Sequence, residues 1–94
     1  MKVRLSTRAR TDLRESIRFI AQDSPRNARL VRDRIDKAIR QLRLLPESGR
    51  AGRIDGTREL IIPHTGYIAV YRVSLGVLEI AALIHESRQW PSGI

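Results

Sequence analysis

In the first half of the chain, apolar positions recur with the period of an α-helix. From residue 7 to about residue 22, the recurrence forms one stripe, stepping by four, four and three residues: Ala9, Leu13, Ile17 and Ile20. Ser6 precedes this stretch, and its side-chain oxygen can accept a hydrogen bond from a backbone N–H of the first turn. The pattern therefore predicts a first helix over residues 7–22 with Ser6 as its N-cap.

A longer seam follows the break "DSPRN". Ser24 is the expected N-cap of a second helix, and Pro25 fits its first position because the missing N–H is not needed there. The apolar positions then step by three and four residues over about five turns: Ala28, Val31, Ile35, Ala38, Leu42 and Leu45. Four pairs of opposite charges at i,i+4 are expected on the outer surface: Arg29 with Asp33, Arg32 with Asp36, Asp33 with Lys37, and Asp36 with Arg40. The short linker predicts an antiparallel hairpin.

The second half of the chain has the short alternating runs of a β-sheet. "TRELIIP", "GYIAVYRV" and "GVLEIAALIH" are rich in β-branched residues and are divided by the turns "PHTG" and "SLG". "MKVRLS" at the start has the same alternation, whereas residues 46–56, with three glycines and a proline, predict a loop. Ala81, Ala82, Leu83 and Ile84 are apolar without alternation, so this part of the last strand should be central or covered on both sides.

These elements predict an α+β fold in one domain, residues 1–94. Its order is β-α-α-β-β-β, with an antiparallel two-helix hairpin packed on a three- to four-stranded, mainly antiparallel sheet. The length allows one hydrophobic core and not two.

Charge is distributed unevenly along the chain. The net charge is +8; residues 1–43 hold 13 Lys or Arg and 5 Asp or Glu, a difference of +8, whereas residues 44–94 hold 5 of each. A positive field clustered in this way predicts a polyanionic or acidic partner, although a merely solvated helix face would have the same composition.

Composition also bounds the chemistry. The chain has no cysteine and only two histidines, far apart, so we expect no metal site and no cofactor. No apolar run reaches the roughly 20 residues of a membrane helix. The first 20 residues, where a secretory signal would be apolar, are interrupted by Arg8, Arg10, Arg14 and Arg18. We therefore expect a cytoplasmic protein with no membrane partner.

The order of these motifs resembles the RelE/ParE superfamily of bacterial type II toxins. The matching stretches cover nearly the whole chain: "STRARTDLRESIRFIA", "LRLLPESGR", "TRELII" followed by "GYIAVYRV", and "EIAALIHESRQWP". The resemblance implies a growth-inhibiting toxin of the kind associated with plasmid stabilisation, neutralised by an antitoxin encoded beside it. RelE-like members cleave mRNA in the ribosome, whereas ParE-like members inhibit DNA gyrase without nuclease activity.

One position favours the ParE-like branch. RelE-like ribonucleases are expected to place a cation directly after the Gly-Tyr that begins the run "GYIAVYRV". Here that residue is Ile68, which cannot offset phosphate charge. On this interpretation Tyr67 and Tyr71 pack against neighbouring strands of the sheet and form no active site. The protein is then expected to be a binding protein and not an enzyme. Two alternatives remain: a ribosome-dependent mRNA endonuclease, supported by the basic charge, and a nontoxic basic adaptor or nucleic-acid binder that keeps the fold.

Candidate site residues lie in the sheet half and near the C-terminus. If the protein cleaves RNA, His85 would be the acid or base and Arg88 the cation that stabilises the transition state. Otherwise Arg58, Arg72, Arg88 and Trp90 are expected to contact the target or the antitoxin. The structural alternatives are a salt bridge with a carboxylate for Arg58 and likewise for Arg72, and for Trp90 a lid over the open end of the core.

The partner can be characterised by its chemistry. The two helices and the sheet should form a groove with basic rims, suited to an acidic, amphipathic antitoxin tail that is disordered when free. The tail would bind as a helix in the groove or as a strand at an open sheet edge.

Overall fold

A computed structural model describes residues 1–88 and residue 90. The elements follow chain order as strand β1 (Lys2–Leu5), helices α1 (Thr7–Asp23) and α2 (Pro25–Leu44), and strands β2 (Arg50–Ala51), β3 (Arg58–Ile61), β4 (Tyr67–Ser74) and β5 (Val77–His85). The strands form one sheet in the order β1-β5-β4-β3-β2. β1 is parallel to β5, and the other neighbouring pairs are antiparallel. The α+β class and the mainly antiparallel sheet are thus confirmed.

The sheet has one strand more than the sequence predicts. Arg50 and Ala51, inside the stretch predicted as a loop, pair with Glu59 and Arg58 of β3. A strand of two residues is too short to have a periodic pattern, so its position depends on the tertiary contact and not on local sequence. The predicted range of three to four strands was therefore too low.

Both predicted helix caps are present. The Ser6 Oγ accepts a hydrogen bond of 3.0 Å from the Ala9 N–H, and the Ser24 Oγ accepts one of 3.0 Å from the Asn27 N–H. Ser24 is the only residue between the helices, so the chain turns back at once. The predicted seam of α2 is buried from Ala28 to Leu42. Leu45 was wrongly included, because α2 ends at Leu44 and the Leu45 side chain is 63% exposed.

The main core lies between the helices and one face of the sheet. Its largest fully buried side chains come from α2, β4 and β5 and from Ile62, which follows β3: Ile35, Leu42, Ile62, Tyr71, Leu78 and Ile80. Burying each aliphatic side chain of this size contributes about 1.5–3 kcal/mol. Among the described residues, no helix is long and apolar enough to cross a membrane.

An irregularity in β5 fixes α1 on the sheet. Val70 pairs with Ala82 while Tyr71 pairs with Ile80, so Ala81 is an extra residue in β5. The Ser6 Oγ donates to the Ala81 carbonyl oxygen at 2.9 Å, and the Leu83 N–H donates to Asp12 Oδ2 at 3.0 Å. Two backbone groups at the bulge are thereby satisfied by α1 and its cap. β1 pairs only with the first half of β5, Val77 to Ile80, so the apolar second half is not central. It is instead covered on both faces, as the other predicted possibility requires: Leu83 lies in the main core, and Trp90 packs against Ala82 and Ile84.

The expected surface ion pairs of α2 are mostly absent. Among the described residues, only the Arg32–Asp36 pair of the four forms, with 3.4 Å between Nε and Oδ1. Exposed pairs of this kind are worth a few tenths of a kcal/mol, which does not outweigh the side-chain entropy lost by holding one geometry.

Candidate docking groove and far-face cluster

An apolar groove follows the two helices. One part encloses about 570 Å³ and has Leu5, Leu13, Ile17 and Ala21 on its apolar walls. A second part of about 420 Å³ shares Ile17, Ala21 and Arg32 with the first. We call the two parts together the hairpin groove, and its full lining is Leu5, Arg10, Leu13, Arg14, Ile17, Arg18, Ala21, Pro25, Ala28, Arg29, Arg32 and Asp33. Its size and apolar walls suit an amphipathic segment better than a small polar ligand.

The charged positions of the hairpin groove are nearly all arginine. Five exposed arginines line it against one carboxylate, Asp33. Arg32 is paired with Asp36, and the Arg10 Nε donates to the Leu5 carbonyl oxygen at 3.4 Å. With the described residues, the other three arginines form no ion pair: Arg14, Arg18 and Arg29. The groove therefore offers cations that an acidic partner could neutralise.

Like charges are adjacent along α1. Arg10, Arg14 and Arg18 are spaced at i, i+4 and i+8, which places each next to the following one on the helix surface. Like-charge pairs at this spacing destabilise a helix by about 0.2–0.5 kcal/mol each. A partner with carboxylates above this row would relieve the repulsion as well as form new ion pairs.

A second cluster lies on the far face, which is the side of the sheet opposite the helices. Glu59 of β3 points there and is only 2% exposed. Its Oε1 accepts from Arg50 Nη2 at 2.9 Å, and its Oε2 accepts from the Arg53 N–H at 2.8 Å. The Arg53 guanidinium lies over the Trp90 ring, with 3.9 Å from Cζ to the ring centroid. We call these four residues, Arg50, Arg53, Glu59 and Trp90, the Glu59 cluster.

The environment of Glu59 keeps its side chain ionised. Burial of the carboxylate opposes ionisation, but the hydrogen bonds from the Arg53 N–H and the Arg50 side chain favour it, as do the charges of both arginines. Together these interactions outweigh burial and place the pKa of Glu59 below its ordinary value of 4.5. The cluster is thus a buried carboxylate with its hydrogen-bonding capacity met, not an acid poised to donate a proton near neutrality.

Glu59 makes a specific contribution to acid stability. Because its pKa is lower in the folded protein than in the unfolded chain, the stabilisation is complete above pH 4.5 and is lost as pH falls through the folded value. We expect Glu59→Gln to be less stable than the wild type at pH 7, with a gap that narrows below about pH 4.5. Urea unfolding of both proteins at several pH values measures this gap; a gap independent of pH would contradict the prediction.

The predicted acid–base residue His85 lies at the end of β5. Its ring packs edge-on against Tyr67, with centroids 5.1 Å apart. His85 Nδ1 accepts from the Ser87 N–H at 3.2 Å and lies 2.7 Å from the Ser87 Oγ. Arg88 is exposed and meets His85 through its backbone, its N–H donating to the His85 carbonyl oxygen at 2.9 Å. The turn therefore connects the two residues by a backbone hydrogen bond, and their side chains form no hydrogen bond with each other.

Arg58 and Arg72 lie on different faces of the sheet. The Arg58 guanidinium donates to the carbonyl oxygens of Gly49 at 2.9 Å and Glu47 at 3.3 Å, so it binds the loop and not the carboxylate expected as its structural partner. Arg72 pairs in register with Glu79, which forms an ion pair of 3.1 Å with Arg4. Arg4, Arg72 and Glu79 line a depression of about 300 Å³ on the far face.

Trp90 covers the far face of the sheet and not the open end of the core, where the structural alternative placed it. It packs against the far-face residues Val70, Ala82 and Ile84, and not against the core under the helices. Sequence reasoning missed the other three members of the Glu59 cluster, Arg50, Arg53 and Glu59, because two of them lie in a predicted loop and the third is a single carboxylate in a strand. Among the described residues, no group of three or more His, Asp or Glu side chains could hold a metal ion.

Comparisons with known proteins identify the family. Residues 3–90 match the model of the ParE toxin of the type II toxin-antitoxin system parDE. A protein of Sinorhizobium fredii (strain NBRC 101917 / NGR234) named "Putative toxin Y4kP" is 41% identical over 90 residues, which span 96% of this chain and 93% of that protein. A solved chain of the chromosomal ParDE toxin-antitoxin system from P. aeruginosa has the same fold, with a TM-score of 0.80 and 19% identity over 90% of this chain and 95% of its own. The chain therefore belongs to the ParE toxin family of type II toxin-antitoxin systems.

Proposed function

We propose that this protein inhibits bacterial growth by binding DNA gyrase, and that a cognate antitoxin neutralises it. The match to the ParE family model over residues 3–90 carries the proposal. Inhibition then depends on protein–protein contact and requires no nucleolytic residues. Arg58, Arg72, Arg88 and Trp90 are the proposed contacts with gyrase or the antitoxin.

Ile68 supports the choice of target. Its side chain is 3% exposed and lies in register between Ile61 and Ile84 on the far face. A cation at this position, as expected for a RelE-like ribonuclease, would have to replace a buried isoleucine in an apolar row. Burying an unpaired charge there would cost several kcal/mol. The sheet therefore favours binding over phosphate chemistry.

The hairpin groove is the proposed antitoxin site. Its apolar walls would receive the apolar face of a helix, and Arg14, Arg18 and Arg29 would pair with carboxylates along that helix. The antitoxin segment is thus amphipathic and acidic, and because such segments have few apolar residues to bury alone, it is disordered until bound. Neutralisation follows if the bound segment prevents the toxin from reaching gyrase.

A paired assay tests the target. We expect the purified protein with gyrase and supercoiled plasmid to inhibit supercoiling and to yield linearised plasmid, because the toxin traps the enzyme with its DNA cleaved. A defined mRNA should remain intact in a translation reaction containing the same protein concentration. Plasmid incubated with the protein alone is the control. Codon-spaced mRNA fragments, with unimpaired supercoiling, would overturn the proposal.

A further inference from the structure

A pocket of about 250 Å³ lies between α2 and the turn that joins β3 to β4. We call it the turn pocket, and its lining is Arg34, Lys37, Ala38, Gln41, Pro63 and His64. The four residues from α2 are spaced at i, i+3, i+4 and i+7, so they share one flank of the helix. None of them lines the hairpin groove, which follows the other flank of α2. The chain therefore has a second concave surface, separate from the proposed antitoxin site.

The turn beside this pocket is held in one conformation by its own hydrogen bonds. The Ile62 N–H donates to the Tyr67 carbonyl oxygen at 2.9 Å, and the Thr65 Oγ1 donates to the Ile62 carbonyl oxygen at 2.8 Å. Within the turn, His64 has a left-handed φ of 61°, which is uncommon for a residue with a side chain. The Arg34 Nη1 donates to the His64 carbonyl oxygen at 3.2 Å. This bond connects the helix to the turn and keeps both residues beside the pocket.

Every polar side chain that lines the turn pocket can donate a hydrogen bond, and none is a carboxylate. With the described residues, the side chains of Lys37, Gln41 and His64 form no hydrogen bond or ion pair. Arg34 uses one of its five N–H groups on the His64 carbonyl oxygen and keeps the others. Two positive charges and a set of unpaired donors thus converge on one small pocket, and the ligand that complements them is an anion.

The size of the turn pocket favours a phosphate group over an acidic helix. An α-helix with its side chains is about 10–12 Å across and needs a long groove with apolar walls. The hairpin groove has such walls, whereas the turn pocket has less than half the volume of the larger part of that groove. A phosphate group fits within the smaller space, and its oxygens accept charge-assisted hydrogen bonds from several donors at once.

The charge of α2 favours a polyanion over a free phosphate ion. The helix has seven Lys or Arg and two Asp, a difference of +5. A polyanion gains from this whole field and releases its own counterions on binding, whereas a free ion gains only from the two cations at the pocket. Neither α2 nor the turn pocket contains Phe, Tyr or Trp. Because single strands are bound largely by stacking of bases on such rings, this surface suits a duplex, whose bases are already stacked.

We propose that the turn pocket binds a backbone phosphate of duplex DNA, independently of base sequence. Arg34 and Lys37 supply the charge, and Gln41 and His64 add hydrogen bonds to the phosphate oxygens. The contact requires neither gyrase nor the antitoxin, so a failure of the proposed gyrase inhibition would leave it unaffected.

Fluorescence anisotropy of a short labelled DNA duplex, titrated with the purified protein at several salt concentrations, measures this contact. Neutralising one phosphate contributes about −0.9 to the slope of log affinity against log salt concentration. We expect Arg34→Gln with Lys37→Gln to make the slope shallower by about this amount and to weaken binding roughly tenfold at 50 mM salt. The affinity of this double variant for the antitoxin should be unchanged.

Arg14→Gln with Arg18→Gln is the matched control, because it removes the same charge from two exposed arginines of the hairpin groove. It should leave the salt slope for DNA unchanged. If circular dichroism finds the Arg34 variant unfolded, Lys37→Gln with His64→Gly replaces it and should likewise make the slope shallower. Lys37 has no hydrogen bond or ion pair with a described residue, and glycine suits the left-handed φ at position 64.

Four results would overturn the proposal. The first is no binding of the duplex by the wild type, or an unchanged slope in the turn-pocket variant. The second is an equal change in both double variants, because DNA would then respond to net charge alone. The third is tighter binding of a single-stranded oligonucleotide of the same length than of the duplex. The fourth is a turn-pocket variant that loses antitoxin affinity and binds DNA normally, which would make the pocket a peptide site.

Discussion

Tyr71→Ala is expected to lower the free energy of unfolding by about 3–5 kcal/mol, the range for removing a large buried aromatic side chain. The Tyr71 side chain is fully buried in the core between the sheet and the helices. Its hydroxyl donates to the Pro46 carbonyl oxygen at 2.7 Å and accepts from the Gly49 N–H at 3.0 Å. Truncation thus creates a cavity and detaches the loop after α2. Urea unfolding followed by circular dichroism measures the effect.

Two phenylalanine variants separate the hydroxyl from the ring. Tyr71→Phe keeps the packing of the ring but removes the hydrogen-bond partner of the Pro46 carbonyl oxygen and of the Gly49 N–H. This loss should lower the free energy of unfolding by about 1–3 kcal/mol. Tyr67→Phe is the control: the ring of Tyr67 is also buried, but its hydroxyl makes no hydrogen bond with a described residue. We expect that change to stay within about 0.5 kcal/mol. Equal losses in both variants would mean that the loop contacts contribute nothing.

Local features of the fold could be predicted from the sequence because their causes lie within a few residues. Ser6 and Ser24 cap their helices through N–H groups three residues ahead, so the residue type and the spacing were sufficient. The α2 seam from Ala28 to Leu42 likewise follows from helical geometry. Leu45 continued that period in sequence but not in space, because the helix ends one residue earlier.

Long-range features could not be predicted in this way. The β2 strand exists because Arg50 meets Glu59, nine residues away, and two residues contain no period of their own. The bulge at Ala81 depends on α1, whose Asp12 carboxylate takes the Leu83 N–H that the ladder leaves free. No rule of spacing relates residues 71 positions apart.

One of the two candidate sites could be predicted from the sequence, and the other could not. The basic hairpin groove was predictable because its arginines and apolar positions both follow the helical period. The Glu59 cluster was not, because Arg53 and Trp90 are 37 positions apart and meet across the far face of the sheet. Trp90 was recognised as a cover, but the surface it covers depends on which way the chain turns after β5, and a terminal segment without periodic pattern does not encode that direction locally.

Reversing two charges in the hairpin groove is expected to free the toxin from its antitoxin. In the double variant Arg14→Glu and Arg18→Glu, two exposed cations on the groove become anions facing a partner that we propose to be acidic. Each site then loses an attraction and gains a repulsion in a partly desolvated interface, together about 2–3 kcal/mol, or roughly a 30- to 150-fold weaker affinity. Isothermal titration calorimetry with the full-length antitoxin measures this difference, which should shrink at high salt.

A control variant with the same change in net charge, made outside the groove, tests whether the effect is specific to the groove. Arg26→Glu with Arg43→Glu also replaces two exposed arginines, but neither lines the groove. The two positions lie at opposite ends of α2, so their effects on the helix dipole oppose each other. This control should lose less than threefold in affinity, as expected when charge acts only at long range through salt. If both double variants weaken binding equally, the antitoxin recognises the net charge of the toxin and the groove is not its site; if only the groove variant does, cells expressing it should stop growing even with the antitoxin present.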